Sequence, residues 1–144
     1  MILLILASGK GTRLGSLTKS KPKCMVKVNN KTILEYSIPI FKYFAKVLIV
    51  VGYKKEKIMN RIKDATYVEN KDFKNTNMVE SIFKAKRFIN DNLVIIYSDI
   101  IFDKKIIKDI LKFKNNIMPV NVNWLKLWKL RMSNKKIYED AENI

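Results

Sequence analysis

Two glycines, two cations and one carboxylate have the types and spacing to hold a phosphate chain. Gly9 and Gly11 flank Lys10 directly after an apolar run; Arg13 and Lys23 follow, and Asp99 closes a second apolar run far downstream. Glycine carries no Cβ, so backbone N–H groups in such a loop can approach phosphate oxygens closely. Arg13 offers a planar fork and Lys23 a point charge to the same oxyanions. Asp99 supplies the hard oxygen donor that Mg²⁺ takes together with water and phosphate. The combination points to a nucleoside triphosphate. For the loop alone, an ordinary strand-to-helix turn with solvated cations competes evenly.

Spacing excludes two other phosphate loops. A Walker loop needs Gly-Lys-Ser/Thr, but Gly11 is followed by Thr12 and Arg13. A dinucleotide fingerprint needs glycine where Leu14 stands, and Gly15 comes one residue late.

The elements that must position these residues alternate. Strand-like runs are Ile2–Leu6, Lys46–Val51, Thr66–Val68, Leu93–Tyr97 and Ile117–Val122. Helical spacing fills the gaps. Ile33, Ile38, Ile40, Phe41 and Phe44 line one face across a distorting Pro39, and a short basic helix is expected over Lys54–Lys63. A stronger helix is expected over Thr76–Ile89, with Val79, Ile82, Phe83 and Lys86 near one face and Thr76 or Asn75 as caps. Asp103 reads as the cap of Lys104–Phe113, and Asn29-Asn30 as a tight turn. This order predicts a parallel α/β sheet whose ligands gather beyond the carboxyl ends of the strands. The glycine loop and Asp99 both fall on that edge.

At 144 residues and 48% hydrophobic, the chain suits a single domain with a real core. Its net charge of +16 implies affinity for polyanions. No zinc finger, RNA-binding aromatic motif or recognition-helix pattern accompanies it, so a nucleotide is expected rather than nucleic acid. Cys24 is the only cysteine and histidine is absent, which excludes an intramolecular disulfide, a Cys/His metal site and a histidine triad. The opening apolar stretch lacks a basic n-region and nothing approaches a membrane span, so a cytoplasmic protein is expected.

The string Leu6-Ala7-Ser8-Gly9-Lys10-Gly11-Thr12-Arg13-Leu14, followed by Lys21-Pro22-Lys23, resembles the signature of nucleotidyltransferases with a glycosyltransferase-A-like fold. Ser8 stands where many members carry alanine or glycine. The resemblance extends through Asn75-Thr76-Asn77-Met78-Val79-Glu80-Ser81 and Tyr97-Ser98-Asp99-Ile100-Ile101-Phe102, and on from Asn123-Trp124 to Arg131. These later strings lean toward the phosphocholine and aminoethylphosphonate branch rather than the sugar-1-phosphate branch. The fold so implied is a three-layer α/β/α, Rossmann-like sheet, mixed but mostly parallel. Residues 1–144 would form one nucleotidyltransferase domain, C-terminally shortened relative to the family.

The resemblance implies that a nucleotidyl group, favoured as cytidylyl from CTP, passes to a small phosphate or phosphonate such as phosphocholine or 2-aminoethylphosphonate, with pyrophosphate leaving. Sugar-1-phosphate nucleotidylyl transfer is the alternative within the class, and a non-catalytic nucleotide- or RNA-binding module the alternative outside it. Catalytic roles fall on Arg13, Lys23 and Asp99, with Asp99 as the Mg²⁺ ligand. Nucleotide contacts are expected from Leu6, Ala7, Ser8, Gly9, Gly11, Thr12, Arg13, Lys23 and Asn77. Lys10 is read as a peripheral phosphate contact, and Ser81 as a weak candidate.

Trp124 and Trp128, spaced i,i+4, offer an aromatic face to a quaternary ammonium, although such pairs more often pack. Tyr97 or Tyr138 would add a further wall. Asn123 precedes Trp124, and near it the choline-type branch commonly carries an aspartate. The acids Glu139, Asp140 and Glu142 resemble a stretch before the family's C-terminal part, not a second metal site. A shortened sheet would leave an exposed edge or apolar face, which predicts self-association.

Overall fold

The computed structural model describes residues 1–130, 132–133 and 136–137. Arg131, Tyr138, Glu139, Asp140 and Glu142 therefore lie outside the described residues. The chain divides into two compact units, Met1–Ile107 and Lys108–Ile144.

The first unit is built on four parallel strands: β1 (Ile2–Ala7), β4 (Lys46–Val51), β5 (Thr66–Glu69) and β6 (Leu93–Tyr97), in the order β5-β4-β1-β6. Leu3, Leu4, Ile5, Leu48, Ile49 and Val50 are fully buried. Consecutive side chains point to opposite faces, so β1 and β4 are covered on both sides, as a near-continuous apolar run in a parallel sheet requires. One face carries Ile2, Leu4, Leu48, Val50 and Val68, packed with Ala85, Ile82 and Phe88. Leu4→Ala would cost about 2–5 kcal/mol there. The mostly parallel α/β sheet is thus the expected one, and these four of the five expected strands have boundaries within a residue of expectation.

Between β1 and β4 the chain makes a small hairpin, β2 (Lys27–Val28) and β3 (Lys31–Thr32). Asn29 and Asn30 turn it with φ of 48° and 67°, the left-handed pair that asparagine tolerates. The expected helix near residues 33–44 is instead a 3-10 segment, Leu34–Tyr43. Pro39 has no N–H for the α-helical ladder, and the tighter turn accommodates that loss.

The other crossovers contain α1 (Lys55–Arg61) and α2 (Met78–Lys84), the latter followed by a 3-10 turn at Lys86–Phe88. α2 departs from expectation in two ways. Asn77, rather than Thr76 or Asn75, is its cap. Its inward face is Ser81, Ile82 and Ala85, whereas Val79 and Phe83 are exposed. The small side chains of Ser81 and Ala85 let the helix approach the sheet closely. α3 (Lys104–Ile110) starts where expected, with the Lys105 N–H donating to Asp103 Oδ1 at 2.7 Å.

In the second unit, Ile117–Val122 forms no strand, contrary to expectation. Pro119 cannot donate to a ladder and restricts Met118, and Ile117, Met118, Val120 and Val122 are all exposed. α4 (Trp124–Lys129) follows it. Among the described residues no helix is long and apolar enough to cross a membrane.

Candidate active site

The strand order reverses direction at β1: the chain steps outward through β4 and β5, then returns to lay β6 on the other side of β1. Such a switch point opens a crevice beyond the carboxyl ends of the two diverging strands. A cleft of about 310 Å³ lies there. Leu6 and Ala7 enter it from β1, Tyr97, Ser98 and Asp99 from the end of β6, and Asn77, Met78 and Ser81 from α2.

The glycine loop is held open by specific contacts. Gly11 has φ +73°, and a Cβ built on it would lie 2.7 Å from Lys23 Cβ. Only glycine combines that backbone with that proximity. Gly15 also takes positive φ inside the following 3-10 stretch, Thr12–Thr18. Buried Thr18 closes this turn by donating from Oγ1 to the carbonyl of Gly11 at 3.0 Å. Tyr53 braces the loop from outside: its N–H donates to Ser8 O at 3.0 Å and its hydroxyl to Thr18 O at 3.1 Å. The Lys10 ammonium lies 5.6 Å from the Tyr53 ring centroid.

Lys23 and Asp99, seventy-six positions apart in sequence, form an ion pair of 2.7 Å within the cleft, each side chain about a third exposed. Arg13 lines the same cleft. Beside them Cys24 is buried, and that burial pushes its thiol up to about 12 despite a hydrogen bond with Ser98. Cys24 therefore packs as a neutral thiol.

Asn77 Oδ1 accepts from the Glu80 N–H at 3.0 Å, while Glu80 Oε2 accepts from the Asn77 N–H at 2.9 Å. This capping box engages the amide oxygen, so the NH₂ group is what Asn77 can offer a ligand.

Of the residues singled out from sequence, Leu6, Ala7, Ser8, Gly9, Gly11, Arg13, Lys23, Asn77, Ser81, Tyr97 and Asp99 line this cleft; Thr12 and Lys10 do not. Trp124 and Trp128 belong to the second unit, where their rings meet edge to face at 5.6 Å. Sequence reasoning missed Phe73 and Met78 as cleft walls, and Asn70 behind it. Asn70 is fully buried at the end of β5 and donates to Thr76 Oγ1 at 2.7 Å and Ser81 Oγ at 3.2 Å. A polar residue directly after a strand, ahead of a capped helix, was the available signal.

Among the described residues no three carboxylate, thiol or imidazole groups cluster to hold a metal. Asp99 is the one carboxylate among the described residues lining the cleft, a hard oxygen donor of the kind Mg²⁺ would take together with phosphate and water.

The chain is similar to several known proteins. The CTP:phosphoglutamine cytidylyltransferase of Campylobacter jejuni is 33% identical over an alignment covering all of this chain and 61% of that protein. The bifunctional protein GlmU of Methanococcus maripaludis is 35% identical over 85% of this chain and 30% of its own length. The solved structure of the CTP:phosphocholine cytidylyltransferase from Streptococcus pneumoniae (LicC) superimposes with a TM-score of 0.61 at 34% identity, covering 68% of this chain and 45% of that one. The chain thus spans between 30% and 61% of the length of these relatives. The MobA-like NTP transferase domain matches residues 3–117, and with the cleft falling inside that span, the chain belongs to this nucleotidyltransferase family.

Proposed function

We propose that this chain is a nucleotidyltransferase that moves a cytidylyl group from CTP to a small phosphate or phosphonate, releasing pyrophosphate. The observation that carries the reading is the Lys23–Asp99 contact of 2.7 Å inside the cleft that the Gly9–Gly11 loop lines. A cation for phosphate and a carboxylate for a phosphate-bound cation stand together, as such a transfer needs.

The reaction brings an acceptor oxyanion in line with the α-phosphorus while pyrophosphate departs. The protein's task is alignment and neutralisation of accumulating charge, with no covalent nucleophile. Loop N–H groups from Gly9 to Gly11 cradle the phosphates, and Arg13 neutralises the β- and γ-phosphates as they leave. Lys23 turns from Asp99 to the α-phosphate and the incoming oxyanion. Asp99, so released, is the residue that would hold Mg²⁺ against the phosphate oxygens. Bound there, the ion would supply Lewis-acid stabilisation of the negative charge that builds at the α-phosphate during nucleotidyl transfer.

Support for cytidine and for a small phosphorylated acceptor comes from the relatives whose names state CTP with phosphoglutamine or phosphocholine. Trp124 and Trp128 are the proposed contacts for a cationic acceptor.

The test is pyrophosphate release from CTP, UTP, GTP and dTTP, each offered with choline phosphate, 2-aminoethylphosphonate, phosphoglutamine and glucose-1-phosphate. CTP with one of the first three is expected to turn over. Arg13→Ala and Asp99→Ala are expected to keep the fold by circular dichroism and lose about a hundredfold or more in rate. Wild-type-like turnover in either variant overturns the assignment. Binding of every triphosphate without turnover would leave a nucleotide-binding module.

A further inference from the structure

Ser8 sits where the glycine loop leaves β1, and its hydroxyl belongs to a part-buried network whose proton order can be worked out. Asn70 anchors that network. Its Oδ1 accepts from the Asp72 N–H at 3.1 Å, which fixes the amide orientation. The Asn70 NH₂ group must then donate twice, to Thr76 Oγ1 at 2.7 Å and to Ser81 Oγ at 3.2 Å. Thr76 passes its own proton to Asp72 O at 3.0 Å.

Ser81 Oγ has three neighbours and one proton. Asn70 can only donate to it, and the Asn77 carbonyl, 3.1 Å away, can only accept from it. The third neighbour is Ser8 Oγ, at 3.1 Å. All three contacts form at once only if Ser81 donates to Asn77 and Ser8 donates to Ser81. Ser8 thereby spends its one proton inside the wall. What its half-buried hydroxyl can present to the cleft is lone pairs alone.

We infer that Ser8 is a specificity-determining acceptor, set by Asn70 and Ser81, that selects a neutral hydrogen-bond donor on the nucleoside part of the ligand. This rests on the nucleotide reading above. A phosphate oxygen has no proton to give, so it cannot satisfy Ser8 and is steered further along the loop toward Gly11 and Arg13. The donors a cytidine nucleotide offers are the exocyclic amine of the base and the ribose hydroxyls. Their shared chemistry is a proton on a neutral N or O.

The experiment is calorimetric titration of the wild type and Ser8→Ala with CTP, UTP, 2′-deoxy-CTP, 3′-deoxy-CTP and inorganic pyrophosphate. Ser8→Ala is expected to weaken CTP by about three- to tenfold, the range of one neutral hydrogen bond, and to leave pyrophosphate unchanged. One wild-type preference should collapse in the variant: CTP over UTP if the amine is the donor, CTP over a deoxy analogue if a ribose hydroxyl is. Ser81→Ala frees the Ser8 proton and should relax the same preference while Ser8 is retained. Unchanged CTP affinity in Ser8→Ala, equal weakening of pyrophosphate, or survival of every preference overturns the inference and leaves the nucleotide reading intact. A wild type that binds none of these nucleotides overturns both.

Discussion

Replacing Asp99 by asparagine should move nucleotide affinity in opposite directions with and without a divalent cation. In the ligand-free cleft the carboxylate faces Lys23 at 2.7 Å, with roughly a third of each side chain exposed. A pair so exposed contributes only about 0.5–1 kcal/mol to folding, so Asp99→Asn should melt close to the wild type. Its effect on an incoming phosphate is larger. A carboxylate about 4 Å from a phosphate oxyanion repels it by about 4 kcal/mol at an effective dielectric of 20. Partial exposure and salt reduce that to about 1–2 kcal/mol. Without metal, the wild type must also break the Lys23 contact before that lysine can turn to the phosphates.

Asparagine removes both costs while keeping the shape. In EDTA, Asp99→Asn should therefore bind CTP about tenfold more tightly than the wild type. With excess Mg²⁺ the order should reverse, because the wild-type carboxylate then draws the ion to the phosphates and the amide does so far less well. Paired calorimetric titrations in EDTA and in Mg²⁺ read both arms, with Lys23→Gln as the control that weakens binding in each. A shift in the same direction under both conditions would refute the reasoning, since it would mean that Asp99 acts on the fold or on the base rather than on phosphate charge.

Three further outcomes follow from local geometry. Gly11→Ala should lower unfolding free energy by about 1–3 kcal/mol in urea titration, because φ is +73° and the new Cβ meets Lys23 Cβ at 2.7 Å. Gly9→Ala meets no atom within 4 Å and should stay within about 0.5 kcal/mol, so any loss of nucleotide binding in it reports a ligand contact. Glu35 is held down at about 2, first by the Thr32 N–H and then by Arg61, so its ionised form is favoured in the folded state. That stability is present above the ordinary carboxylate range and is lost as pH falls toward 2. Glu35→Gln should flatten this part of the acid denaturation curve by about 1–2 kcal/mol.

The strands of the first unit were legible because a doubly covered parallel sheet demands unbroken β-branched and leucine runs, and Ile2–Ala7 and Lys46–Val51 are such runs. Ile117–Val122 has the same composition, yet Pro119 removes a ladder donor and no partner strand pairs with it. Apolar composition signals burial; pairing decides whether a strand forms. The helices misled differently. A 3.6-residue stripe through Val79, Ile82, Phe83 and Lys86 fitted the spacing, but Ile82 packs inward with Ser81 and Ala85 while Val79 and Phe83 are exposed.

The glycines and charged groups of the cleft were legible in sequence, as were Leu6, Ala7, Ser8 and Asn77 through the motifs they belong to, whereas Asn70 and the hydrogen-bond order behind the wall were not. Gly9, Gly11, Arg13, Lys23 and Asp99 are residues whose chemistry is expensive to place anywhere without a use, so their types announce them. Asn70, Thr76 and Ser81 are residues that any turn or helix start accommodates. Only the three-dimensional order of their donors and acceptors distinguishes them, and that order depends on Val51 holding the Asn70 N–H at 2.8 Å while β5 lies beside β4. Sheet register therefore fixes an amide, the amide fixes the Ser81 hydroxyl, and that hydroxyl fixes what Ser8 can offer at the end of β1. A slip of β5 by one residue would rotate Asn70 to the opposite face and return the Ser8 proton to the cleft.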